Sequence, residues 1–173
     1  MLNSTTRTLR MLALTGAAVA AIAAQPALAA DATGSLSATA TVTSNCAVTT
    51  TAVAFGNVNV TLNANVDGTG GISVTCTNGT AWTAKANAGS GSLATISSRK
   101  MTSGLNLLDY TLYTDSGRLT IWGDGTTGNG STITGTGSGN AQATTIYGRI
   151  PSGQTTKPVG SYADTVTVTV SYT

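Results

Sequence analysis

"GSYADTVTVTVSYT", residues 160–173, closes the chain, and its second half alternates without a break. Val166, Val168, Val170 and Tyr172 fall on one face, with Thr165, Thr167, Thr169 and Ser171 on the other. β-Branched residues at period 2 predict a strand with one face in a core. No segment after Thr173 is expected to pair with its outer edge. A regular, half-apolar strand at a sheet edge invites aggregation, so something is expected to cover this one.

A second stretch has the same character. Residues 33–43, "TGSLSATATVT", alternate Gly34, Leu36, Ala38, Ala40 and Val42 against Ser35, Ser37, Thr39, Thr41 and Thr43. Its apolar face is made of small side chains, suited to a narrow groove but adding little to a core of its own. It precedes the first cysteine, where most domains have a frayed tail. The two terminal strands either pair within one molecule or seek partners in another.

Residues 1–30 are set apart from the fold. "MLNSTTRTLR" is basic without acids, "MLALTGAAVAAIAA" is apolar, and "QPALAA" offers small residues at Ala27 and Ala29. That three-part pattern predicts a secretory signal peptide cleaved near residue 29 or 30. The 14-residue apolar run falls short of the roughly 20 residues that span a bilayer. The net charge of +2 comes from Arg7 and Arg10; beyond them, six basic residues balance six aspartates. A near-neutral chain with scattered charges carries no electrostatic footprint for nucleic acid or an anionic membrane.

About 143 residues remain, enough for one domain with a core. Strand-sized pieces lie at 34–43, 46–49, 51–55, 57–62, 71–77, 81–87, 107–114, 118–122, 144–150 and 162–172. Gly, Asn, Asp and Pro turns separate them. Short strands at such spacing predict an all-β sandwich or barrel. Cys46 and Cys76 are the two cysteines, expected to be oxidised to a disulfide in a secreted chain. Closing a loop of that length is worth about 3.5 kcal/mol in the chain-entropy model. A two-thiol metal site is the competing reading; the chain has no histidine and no C-x-x-C to support it.

In order along the chain stand "NCAV" (45–48), "FGNV" (55–58), "GGISVTCTNGT" (70–80), "RKM" (99–101), "LDYTLYTD" (108–115), "IWGDGT" (121–126), "TIYGRIPSGQ" (145–154) and "GSYADTVTVTVSY" (160–172). Together they resemble the spore coat protein U domain, the pilin domain of archaic, Csu-type chaperone–usher pili. Tyr172 as a penultimate aromatic and Gly160 about fourteen from the end match the pilin C-terminal signature. The resemblance implies an incomplete immunoglobulin-like β-sandwich lacking its final strand, completed by a donor strand from another subunit. It implies three segments: a signal peptide at 1–30, a donor-strand extension at 31–45 and the pilin sandwich at 46–173. Gly34, Leu36, Ala38, Ala40 and Val42 would be the donor positions. Gly160, Val166, Val168, Val170 and Tyr172 would form the acceptor strand that a chaperone also binds. The implied partners are other pilus subunits, a periplasmic chaperone and an outer-membrane usher, with passage through the periplasm to a cell-surface pilus that supports attachment and biofilm formation.

Catalysis has little to work with, since the chain lacks histidine, glutamate and a thiol left over from the cysteine pair. No enzyme activity, cofactor, metal or small-molecule substrate is expected. Asp109 has no partner carboxylate nominated by sequence. "WGDGTTGNGS" (122–131) lacks both P-loop and EF-hand spacing and reads as a surface loop. Asn78 and Asn129 sit in N-x-S/T sequons read as turns, and Arg99-Lys100 reads as a solvated pair. The competing function is a secreted carbohydrate- or surface-binding sandwich of adhesin type, or a spore-coat protein. Trp82 and Trp122 are its candidate contact aromatics, Trp82 lying in a strand expected to be core.

Overall fold

The computed structural model describes residues 29–173; the expected signal peptide lies outside them except for its last two positions. The chain divides between Thr39 and Ala40. Residues 29–39 carry no regular secondary structure and are exposed throughout.

The body is all-β. Its strands are β1 (Cys46–Ala54), β2 (Val66–Cys76), β3 (Ala81–Ala86), β4 (Arg99–Ser103), β5 (Asn106–Tyr113), β6 (Ile133–Thr136), β7 (Ala141–Ile150) and β8 (Val168–Tyr172). Five form an antiparallel sheet in the order β1-β2-β7-β5-β4, and three form a second in the order β6-β3-β8. Inward-facing residues of both build one core. Ile72, Val74, Tyr110, Leu112 and Ile146 come from the larger sheet and Trp82 and Ala84 from the smaller, with Trp122 from a connecting segment.

Several boundaries differ from those expected. The pieces at 46–49 and 51–55 are one strand, interrupted by an irregularity between Thr51 and Ala54. "GTGG" (68–71), read as a turn, lies inside β2: a side chain at Gly70 would collide with the backbone of Thr51–Val53, so only glycine lets the irregular part of β1 approach. The 57–62 piece holds a single 3-10 turn, Val60–Leu62, because Asn59 Oδ1 accepts from the Thr61 amide and caps it. The 118–122 piece makes only isolated bridges, Tyr113 with Ile121 and Trp122 with Ser131. β4 and β6 lie where no strand was expected.

Candidate functional site

The C-terminal strand changes sheets. Ala163 exchanges two main-chain bonds with Thr102 of β4, at 2.8 and 3.0 Å. From Val168 the chain pairs instead with β3, Ala86 opposite Val168 through Trp82 opposite Tyr172. Residues 164–167 span the gap between sheets, which is why the regular strand holds five residues instead of the eleven expected over 162–172.

Val166, Val168 and Val170 are half-buried against the core, and Thr165, Thr167, Thr169 and Ser171 are exposed. Tyr172, on the same side as the valines, is 42% exposed. Antiparallel neighbours exchange hydrogen bonds only at alternate residues. The Asn87 amide donates to Thr167 O at 3.1 Å and the Thr173 amide to Ala81 O at 3.4 Å, so the odd-numbered residues face β3. The amides and carbonyls of Val166, Val168 and Val170 therefore point to the open edge. β8 is the last strand of its sheet and β1 the last of the other.

Between these two edges lies an apolar cleft of about 420 Å³, lined by Val53, Ile72, Trp122, Ile146, Val166 and Val168 among others. A second cleft of about 770 Å³, lined by Val58, Leu108, Ile150, Pro158 and Gly160, continues it and shares Val53, Phe55, Met101 and Tyr162. Val53, Phe55, Val58, Tyr162, Val166 and Val168 are half-buried along it, so this side of the sandwich is only partly covered. Gly160 and Val166 and Val168 line this groove, while Val170 shares their face beyond it. Gly34, Leu36, Ala38, Ala40 and Val42 are all exposed, Leu36 at 97% and Val42 at 84%, and none lies in a strand.

Cys46 and Cys76 face each other across β1 and β2 and are joined by a disulfide, with Cα atoms 4.1 Å apart. It pins the start of β1, the strand whose later residues, Thr50–Val53, line the groove. Thr77 extends the clamp: its amide donates to Asn45 O at 2.9 Å and its hydroxyl to Thr43 O at 3.3 Å. Cys46→Ser is expected to lower the thermal midpoint by about 10 °C, the loop-closure term spread over a domain of this size. Circular dichroism melts of both proteins measure it.

Two polar centres support the groove wall. Asp164 accepts four bonds: Tyr110 Oη at 2.6 Å, and the Ser90 amide, Ser90 Oγ and Thr165 amide at 2.8 Å each. A side chain at Gly89, which has a φ of 88°, would overlap that carboxylate. Burial pushes the Asp164 carboxyl up, but the bonds from Tyr110, Ser90 and Thr165 outweigh it and hold it below 3.8. A lowered folded-state pKa contributes stability that is complete above the unfolded value and lost as pH falls through the folded one. Asp164→Asn is therefore expected to cost stability at neutral pH, with the gap to wild type closing in acid below 3.8. A gap that stays constant with pH would contradict this.

Arg99 is the second centre and corrects the sequence reading of Arg99-Lys100 as a solvated pair. Its side chain is fully buried and donates to Asn87 O at 3.0 Å, Ile96 O at 2.9 Å and Trp122 O at 2.8 Å. Lys100, its neighbour on the other face, is half-buried and pairs with Asp109 at 2.7 Å. Trp122, a candidate exposed aromatic by sequence, is 2% exposed and its indole donates to Ala84 O at 3.3 Å. Trp82 is also in the core. Sequence gives no sign of Arg99 or Asp164 in these roles, because Arg99 reads as a solvated charge and Asp164 as a polar residue near the start of the expected 162–172 strand.

A family model described as the Spore Coat Protein U domain matches residues 32–169. Protein U of Myxococcus xanthus is 35% identical over 121 residues, 66% of this chain and 65% of that protein. A solved structure, the CsuC–CsuE chaperone–tip adhesion subunit pre-assembly complex from the archaic chaperone–usher Csu pili of Acinetobacter baumannii, holds a similar chain. The match has a TM-score of 0.52 and 25% identity, covering 75% of this chain and 40% of that one. The chain thus spans about two thirds or less of either relative.

Proposed function

The chain belongs to the Spore Coat Protein U domain family, and from that premise we propose that it is a structural subunit of a chaperone–usher pilus. Subunits join head-to-tail, each groove receiving the N-terminal extension of the next copy. Residues 31–45 are the extension and 46–173 the receiving domain. A periplasmic chaperone holds the groove first, an outer-membrane usher assembles the polymer, and the product is a surface pilus serving attachment and biofilm growth.

The observation that carries this reading is the open edge of β8 beside a partly covered apolar cleft. Strand addition of the kind that completes pilins satisfies such an edge with main-chain bonds and fills alternate pockets with side chains. Residues 33–43 alternate in the required way. Leu36 and Val42 each gain about 1.5–3 kcal/mol on full burial, the alanines less. A contact of this kind does not close on itself, so it builds a filament. The cleft presents no cluster of acids or histidines, and among the described residues no group of His, Cys, Asp and Glu gathers as metal ligands. With both tryptophans buried, the surface-binding alternative has no indole to stack on a sugar.

Hydrogen exchange tests the reading. A synthetic peptide of residues 33–43, added to the folded chain, should protect the amides of Val166, Val168 and Val170. Thr169, already bonded to β3, should change little. Equal protection of both sets, or of neither, would argue against strand addition at this edge.

A further inference from the structure

Asn87 and Thr167 are the next register pair beyond Ala86 and Val168. In a regular antiparallel ladder they would exchange two main-chain bonds. Only one forms: the Asn87 amide donates to Thr167 O at 3.1 Å. The Asn87 carbonyl is taken by Arg99, whose Nε donates to it at 3.0 Å. The ladder is completed by the side chain instead, Asn87 Oδ1 accepting from the Thr167 amide at 2.9 Å and also from the Gly89 amide at 3.0 Å.

The substitution falls at a sensitive place. Upstream of Thr167 the chain is crossing between sheets, held at Ala163 by β4 and at Asp164 by Tyr110 and Ser90. Downstream, β3 takes over at Val168. Val166 and Val168, on either side of Thr167, line the 420 Å³ cleft. Whatever fixes Thr167 therefore fixes how the two residues beside it present their free amides and carbonyls.

We propose that Asn87 is a positioning residue for strand addition: its side-chain oxygen stands in for the diverted carbonyl and sets the acceptor edge before an incoming strand arrives. This rests on the strand-addition reading given above. Without Asn87 the edge must be ordered during the encounter, which slows association. Once seated, the added strand holds Val166 and Val168 from the other side, so dissociation changes little.

Stopped-flow binding of a fluorescent peptide of residues 33–43 tests this. The full chain is freshly refolded and dilute, so that copies rarely meet. Asn87→Ala should associate about ten-fold more slowly, the scale of one lost hydrogen bond, with its dissociation rate near that of wild type. Asn87→Asp keeps the accepting oxygen and should restore the rate. If Asn87→Ala lowers only the melting temperature while its folded fraction binds at the wild-type rate, the residue is merely structural and the proposal fails. It fails equally if Asn87→Asp is as slow as Asn87→Ala. No saturable binding by wild type would overturn the strand-addition reading itself, and this inference with it.

Discussion

Ala38→Arg is expected to abolish fibre formation while leaving the subunit soluble and folded. Ala38 is exposed and outside every strand. In an added strand it falls between Leu36 and Ala40 on the face directed at the groove floor. That floor is built of Ile72, Ile146 and Trp122, all 3% exposed or less. The acid that lines this cleft, Asp164, is already committed to Tyr110, Ser90 and Thr165, and a buried charge without a partner of its own costs several kcal/mol. Thr39→Arg points the same group to solvent and should still assemble. Negative-stain microscopy and non-boiled gel ladders distinguish the two variants. Fibres from Ala38→Arg would show that residues 33–43 do not enter a core.

Arg99→Ala should be the most destabilising single change in the body. It strips partners from three carbonyls in a fully buried site and leaves a cavity beside Trp122. Hydrogen bonds to a charged group are worth roughly 1.5–3 kcal/mol each, so a loss of at least about 4 kcal/mol is expected. Domain stabilities of about 5–15 kcal/mol leave little room for that. Arg99→Lys should recover only part of it, since one ammonium cannot copy a planar fork of donors. Lys100→Ala loses only a partly exposed pair with Asp109 and should cost under about 1 kcal/mol. Denaturant midpoints of the three variants measure the difference. Equal effects at positions 99 and 100 would restore the reading of both as solvated charges.

The contrast between those neighbours shows where the sequence was legible. Periodicity reads faces, and the valines of 166–170 announced theirs because each alternate residue is a threonine or serine. β4 was hidden since "RKMTS" opens with two charges, and periodicity cannot tell a buried guanidinium satisfied by carbonyls from a solvated one. β6 was hidden since "ITGT" lies in a run of Gly, Ser and Thr that scores as loop. The glycines of β2 read as a turn because their role, admitting the irregular part of β1, is a property of the neighbouring strand. The groove itself is a matter of sheet order, which makes β1 and β8 edge strands, and of packing, which sets residues of both on one cleft. Asn87 and Asp164 act through side-chain bonds to partners far along the chain, Thr167 for the first and Ser90 and Tyr110 for the second, and no local pattern reports such bonds.

The most direct measurement moves residues 33–43 from one end of the chain to the other. Deleting residues 31–43 and fusing "TGSLSATATVT" after Thr173 through a short Gly/Asn turn places the strand where it can enter its own groove. Analytical ultracentrifugation and thermal melting of this fusion should show a monomer at all concentrations, melting well above the deletion alone. Leu36, Ala38, Ala40 and Val42 would then be protected from solvent. An unfolded fusion, or one that polymerises as readily as the original chain, would contradict the claim that the groove is completed by this segment of another copy.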